Sequence, residues 1–228
     1  MTVYAFLPCR AGSERVPKKN IKPFSIFKNG LIEVKLKQLI GCSLIDKIIL
    51  STNDIEILDY ANSLKNDKIS THQRESSLCS STTSTDELVA HAISLIPKGH
   101  ILWTHVTSPF INSTVYEEII LNYYQSLANG YDSLMTITEL RAFLWQNDEP
   151  YNYDRTKEKW PRTQTIKPIQ EINSGAFLAS ADIYRKCNDR IGTKPLLYPL
   201  ERLISHDIDW PDDFILAESI ADKGIINL

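Results

Sequence analysis

The sequence lacks a long apolar run, a paired-cysteine motif, a glycine fingerprint for nucleotides and a surplus of either charge. Each absence narrows the reading. No apolar stretch approaches the roughly 18 residues of a membrane span, and the first residues carry no basic-then-apolar leader pattern, so a soluble, cytoplasmic chain is expected. The four cysteines, Cys9, Cys42, Cys79 and Cys187, lie far apart and form neither Cys-x-x-Cys nor a Cys/His ligand spacing. A reduced chain without structural zinc is the expectation. Neither Gly-x-Gly-x-x-Gly nor a P-loop is present, which leaves a dinucleotide fold or a Walker ATPase unsupported. A net charge of -3 gives no general attraction to nucleic acid or to an anionic membrane, so any polyanion site must be local.

What is present fits one α/β domain over 1–228. With 43% hydrophobic and 23% charged residues, the chain can bury a substantial core. The first half alternates strand and helix patterns, which predicts a mostly parallel central sheet with helices on both faces. Strands are expected at Val3 to Leu7, Lys47 to Ser51, Lys68 to Thr71, Ile101 to His105 and Ser133 to Thr138. Between them the periodicity predicts helices: Leu31 to Ile40 stopping at Gly41, and one capped by Asp54 with Ile55, Leu58, Ala61 and Leu64 on one face. Another opens on the capping box Ser84-Thr-Asp-Glu87, and a long one starts at Asn112 or Ser113 and closes at Gly130. From about Leu140 to Pro168 the pattern breaks into a polar, aromatic and charged stretch. A lid, a binding loop or an arm packing on a partner chain is expected there. A strand at Ile172 to Ala179, a short helix at Ala181 to Asn188, a strand at Leu196 to Tyr198 and a helix from Pro211 to about Asp222 complete the prediction.

Three places carry chemistry. The first strand empties into Arg10-Ala11-Gly12-Ser13-Glu14-Arg15-Val-Pro17-Lys18-Lys19-Asn20. Arg10, Arg15, Lys18 and Lys19 can supply charge to a triphosphate, Gly12 lets backbone approach closely, and Pro17 stiffens the loop. The plain alternative is a solvated basic turn. Second, Asp207-Ile208-Asp209 on an extended segment would aim both carboxylates one way and Ile208 into the core. Two converging carboxylates suit Mg²⁺, although Asp209 could instead cap the following helix. Third, His105-Val-Thr107-Ser108-Pro109-Phe110 emerges at a strand end, where open α/β sheets bind ligands, but ordinary turn chemistry also uses these residues. His72, His91 and His100 show no partner in the sequence and read as plain surface or core residues.

Together these segments resemble the acylneuraminate (CMP-sialic acid) cytidylyltransferases. The match runs through Arg10-Ala-Gly12-Ser13 to Pro17-Lys-Lys19-Asn20, Ser51-Thr-Asn53, Arg74 to Ser84, Thr107-Ser108-Pro109 and Asp207-Ile-Asp209, in order over nearly the whole chain. The resemblance implies a Rossmann-like nucleotidyltransferase with a small dimerisation arm at 140–170, acting as a homodimer. It implies that CTP and a 2-keto acid sugar give a CMP-sugar and pyrophosphate with Mg²⁺. Arg10, Ala11, Gly12, Ser13, Arg15, Lys19, Asn20, Arg74 and Ser84 would hold the nucleotide, and Arg10, Lys19 and Asp209 would carry catalysis. Asp207 and Asp209 would hold the metal. His105, Thr107, Ser108, Arg162 and Gln164 would face the sugar, with Arg162 pairing its carboxylate. The chain departs from the pattern at Glu14 (usually Lys), Asn53 (Asp), Ser81 (Asp), His105 (Gln) and Ile111 (Arg), which implies an acid sugar other than ordinary sialic acid. A nucleotide-sugar-dependent glycosyltransferase, with its own Asp-x-Asp, and a non-catalytic nucleotide- or sugar-binding relative are the competing readings.

Overall fold

Strand β1 (Val3–Pro8) is buried on both faces, because Val3, Ala5 and Leu7 enter one core while Phe6 enters another. A strand wanted apolar on both sides belongs in the middle of a sheet covered by helices, and β1 sits there. The computed structural model describes all of residues 1–228. It places β1 between β2 (Lys47–Thr52) and β4 (His100–Trp103), both parallel to it, with β3 (Ile69–Gln73) parallel to β2 at the edge. Beyond β4 come β8 (Ile169–Ser180), β5 (Ser133–Leu140) and β9 (Pro195–Pro199), giving the order β3-β2-β1-β4-β8-β5-β9. Strand β8 runs antiparallel to both neighbours, and β9 runs parallel to β5. The sheet is therefore mostly parallel, as the alternating pattern predicts, with one reversed strand that the pattern did not show.

Helices α1 (Gly30–Gly41), α2 (Ile55–Ser63), α4 (Ser113–Leu127) and α6 (Pro211–Asp222) cover one face, and α3 (Thr85–Leu95) and α5 (Ala181–Cys187) cover the other. Their starts follow the local chemistry. Asp54 accepts from the Glu56 amide, Ser84 and Glu87 form the full capping box, and Asn112 accepts from the Val115 amide. In α2 the buried residues are Ile57, Leu58 and Ala61, while Ile55 is 54% exposed; the core face is thus rotated from the one expected. Gly30 opens α1 at φ +67°, where a Cβ would strike the Lys22 carbonyl, so the chain can turn there only without a side chain. No helix is long and apolar enough to cross a membrane.

The stretch after β5 holds a two-residue-per-strand hairpin, β6 (Trp145–Gln146) and β7 (Glu149–Pro150), and otherwise irregular backbone. Its rings pack on one another: Phe143 lies 5.4 Å from Trp160 and 5.1 Å from Tyr153. Trp145, Tyr151 and Trp160 nonetheless stay exposed. Two of the three histidines read as plain residues have hydrogen-bond partners. His91 lies 2.8 Å from the Ser51 hydroxyl and His100 lies 2.9 Å from that of Tyr123.

Candidate active site

The parallel strands β1 and β4 end on the same side of the sheet, and their loops meet there. Cys9 donates its amide to the Ser51 carbonyl, and Ala11 donates its own to the Asn53 side chain at 3.0 Å. Asn53 thus shapes the first turn of the basic loop, and Asn20 ties the far end back by donating to the Arg10 carbonyl. Gly12 takes φ +77°, in the left-handed region that favours glycine. The Arg10 guanidinium folds onto its own loop at the Gly12 carbonyl, 3.2 Å away.

The loop and the late acidic pair come together. Residues Cys9, Arg10, Ser13, Glu14, Arg15, Lys19 and Asn20 line a hollow of about 430 Å³, shared with Ser81, His105 and Thr107. Arg15 reaches Asp209 at 2.9 Å and stacks over Trp210, 4.8 Å from the ring centroid. Lys19 donates to the Ile208 carbonyl at 2.6 Å and lies 3.6 Å from Asp209. Burial lowers the Lys19 pKa, and Asp209 and Asp207 oppose that shift. Lys18 turns away: it pairs with Glu56 at 2.7 Å. Glu14 stands on the hollow's wall with no hydrogen bond and no ion pair.

Asp207-Ile208-Asp209 is pinned by the Ile208 amide, which donates to the Thr107 carbonyl. Ile208 is fully buried, with Asp207 and Asp209 only partly so. The two carboxylates line a second hollow of about 550 Å³ together with Thr138, Glu171, Asn173, Ser174, Arg202, Ser205 and His206. One oxygen of Asp207 is buried without any partner. Such an oxygen asks for a cation or a donor. No group of three or more His, Cys, Asp or Glu side chains is assembled. A protein-only metal cage is therefore absent, while two carboxylates leave room for the waters and phosphate oxygens that Mg²⁺ keeps. The donor set fits that ion.

His105 is held as a neutral acceptor toward the sheet. The Trp103 indole N–H donates to its Nε2 at 3.1 Å, so Nδ1 carries the proton that goes to the Ser174 carbonyl at 2.8 Å. Burial lowers its pKa, with Ser174 opposing and Arg190 adding to the shift. Thr107 lines the first hollow, whereas Ser108 is buried.

One group below the floor, Lys35, was not legible in the sequence. Lys35 of α1 is fully buried and donates to the Ser108 carbonyl and the Tyr116 hydroxyl, both at 2.8 Å, and to the Ile111 carbonyl at 3.4 Å. Burial pushes its pKa well down, with Asp207 opposing. It fixes the 107–111 turn, yet sits among apolar residues at helical spacing, where nothing marks it. Arg74 is also buried. It donates to the Cys9 carbonyl at 2.6 Å and to the Cys79 sulfur at 3.3 Å, and its Nη1 has no partner.

Other predicted residues lie elsewhere. Ser84 spends its hydroxyl in the α3 capping box, and Ser81 lines the first hollow instead. Arg162 and Gln164 stand on an exposed turn closed by Thr165 on the Arg162 carbonyl, outside both hollows. Asn173, Arg202, Ser205 and His206 join the site without any sequence signal, because β8 and the β9 connection only reach it through the fold.

Comparison with known proteins bears on this geometry. Residues 4–220 match the family described as Cytidylyltransferase. A pseudaminic acid cytidylyltransferase of Campylobacter jejuni (serotype O:23/36) is 28% identical over 223 residues, 93% of each chain. An N-acylneuraminate cytidylyltransferase of Streptococcus agalactiae (serotype V) is 26% identical over 225 residues, 94% of this chain and 52% of that one. Among solved structures, CMP:2-keto-3-deoxy-manno-octonic acid synthetase complexed with CTP superposes with a TM-score of 0.67 at 12% identity, over 98% of this chain and 99% of that one. The 4-diphosphocytidyl-2C-methyl-D-erythritol synthase of Anaerococcus prevotii gives 0.64 at 16% identity, over 96% and 98%. The two structures share the fold of this chain.

Proposed function

This chain belongs to the cytidylyltransferase family, and from that premise we propose that it joins CTP to an acid sugar of the 2-keto nonulosonate class, releasing pyrophosphate. The observation that carries the reading is the junction at Asp209. There the acidic pair meets Arg15 and Lys19 between a cation-lined hollow and a polar one. A triphosphate fits the first and a polyhydroxy acid the second, so the α-phosphorus would lie near the seam. The relatives named for pseudaminic and N-acylneuraminic acid support the sugar class.

In the proposed step the sugar's anomeric hydroxyl oxygen bonds to the α-phosphorus. The bond from that phosphorus to the bridging oxygen breaks, pyrophosphate leaves with the electron pair, and the hydroxyl proton passes to solvent. The protein's part is positioning and neutralisation. Arg10, Arg15, Lys19 and the loop amides of Ala11, Gly12 and Ser13 would hold the phosphates, with Asn20 keeping the loop closed. The unpartnered Nη1 of Arg74, beneath Cys9, supports a role at the nucleotide end. Thr107 and His105 would form the wall between nucleotide and sugar. Asp207 and Asp209 would hold Mg²⁺, which when bound supplies charge neutralisation at the phosphate oxygens. For Asp209 to take part, Arg15 and Lys19 must shift toward the phosphates.

The exposed aromatic arm supports a homodimer, and the whole reads as a cytoplasmic enzyme. Pyrophosphate release from CTP, measured with a panel of nonulosonic acids, tests the function. Turnover from a CMP-sugar donor without pyrophosphate would favour a glycosyltransferase instead. The unpaired Glu14 on the hollow's wall, a like charge beside any triphosphate, favours a second reading, a non-catalytic nucleotide- or sugar-binding relative.

A further inference from the structure

The hollow of about 550 Å³ is lined by Glu171, Asp207, Asp209, His206 and a single arginine or lysine, Arg202. A free acid entering it faces three carboxylates. Asp209 is answered from the other side by Arg15 and Lys19, while Arg202 is the one arginine or lysine in this hollow that can answer an incoming carboxylate. The Arg202 guanidinium makes no hydrogen bond and no ion pair, although Glu171 and the acidic pair line the same space. Its backbone, by contrast, is firmly held. Ser205 Oγ donates to the Arg202 carbonyl at 3.2 Å and accepts from Thr138 Oγ1 at 3.0 Å, and the Ser205 amide donates to Glu201. The turn is thus tied to β5 while its cation stays uncommitted.

We propose that Arg202 is a specificity residue that binds the carboxylate of the acid sugar in this hollow. The role rests on the cytidylyltransferase reading for the identity of the sugar. A guanidinium offers a planar fork of donors that a carboxylate fills with two parallel bonds. Binding there keeps the acid group apart from Asp207 and Asp209, so the anomeric centre, one carbon away, is left on the side of the seam. Arg162, the residue that resemblance offers for this carboxylate, stands outside the hollow on an exposed turn.

The test is titration calorimetry on protein saturated with a non-hydrolysable CTP analogue. The probes are pseudaminic acid and N-acetylneuraminic acid, each as free acid and as C1 methyl ester. The wild type is expected to prefer at least one free acid over its ester. Arg202→Gln weakens that acid about 10- to 100-fold, the size of a lost charged hydrogen-bond pair, and leaves ester affinity within about twofold. Arg202→Lys restores part of the preference, and the exposed side chain leaves the unfolding midpoint unchanged. An unchanged acid-to-ester ratio in Arg202→Gln overturns the assignment. So does a loss that appears in Arg162→Gln instead, or a wild type with no acid preference. Binding is read without turnover, so Arg202-dependent acid binding with no pyrophosphate release would sink the cytidylyltransferase reading and keep the assignment.

Discussion

Asp209 accepts from Arg15 at 2.9 Å and lies 3.6 Å from Lys19, so its carboxylate already sits among the cations that a triphosphate would draw away. Replacing it with Asn keeps the shape and removes the charge. Asp209→Asn should abolish Mg²⁺-dependent turnover while CTP binding and the unfolding midpoint persist; unchanged activity would reduce Asp209 to a helix-terminus residue. Glu14 stands on the same wall with its charge uncompensated. Glu14→Lys should therefore tighten CTP binding several-fold by calorimetry, more at low ionic strength than at high. Equal affinity would show that Glu14 faces solvent. A third residue tests the packing rather than the chemistry. Burial first, then His72 and Arg74, hold the His91 pKa down from 6.5 to about 4. A histidine whose folded pKa is depressed stabilises fully above its unfolded value, and that contribution is lost as pH falls through the folded one. The His91 ring should titrate near 4 by NMR, and thermal stability should fall between pH 6.5 and 4 by a component missing in His91→Gln.

Element by element, the sequence was most legible where a local rule decides the outcome. The capping residues Asp54, Ser84 and Asn112 all act as their side-chain chemistry predicts. Ser84→Ala should cost about 1 kcal/mol of stability and leave the KM for CTP unchanged, since that hydroxyl is bonded within the box; a raised KM would give Ser84 the nucleotide role that resemblance suggests. Legibility ended where a contact between distant segments decides. Strand β8 runs antiparallel because its register against β4 and β5 is set across the sheet, and periodicity carries no direction. Ile55 reads as core by spacing, yet the packing of α2 on β2 and β3 leaves it at the surface and takes Ile57. Lys35 is hidden for the same reason: only the fold brings the 107–111 turn and Tyr116 over its ammonium. In the site, the basic loop and Asp207-Ile-Asp209 were visible as strings. Their contact through Arg15, and the membership of Asn173, Arg202 and His206, were not.

For the whole molecule, the sheet order puts the ends of β1 and β4 and the β9–α6 connection on one rim. That rim, not any one motif, makes a two-substrate site from segments nearly two hundred residues apart. The arm lies outside it, with Arg155 5.4 Å from each of the Trp145 and Trp160 rings and both rings exposed. If that face is covered by a second copy, light scattering should give twice the 26.0 kDa chain mass. Trp145→Ala with Trp160→Ala should then shift the species toward monomer; a monomeric wild type would remove the dimer proposal. The joining of CTP to an acid sugar is tested by supplying CTP, Mg²⁺ and each of pseudaminic, N-acetylneuraminic and related nonulosonic acids, and following pyrophosphate and CMP-sugar together. One acid should give the two products in equal amounts, and the reaction should stop without the acid. A protein that binds CTP but releases no pyrophosphate with any of them would contradict it.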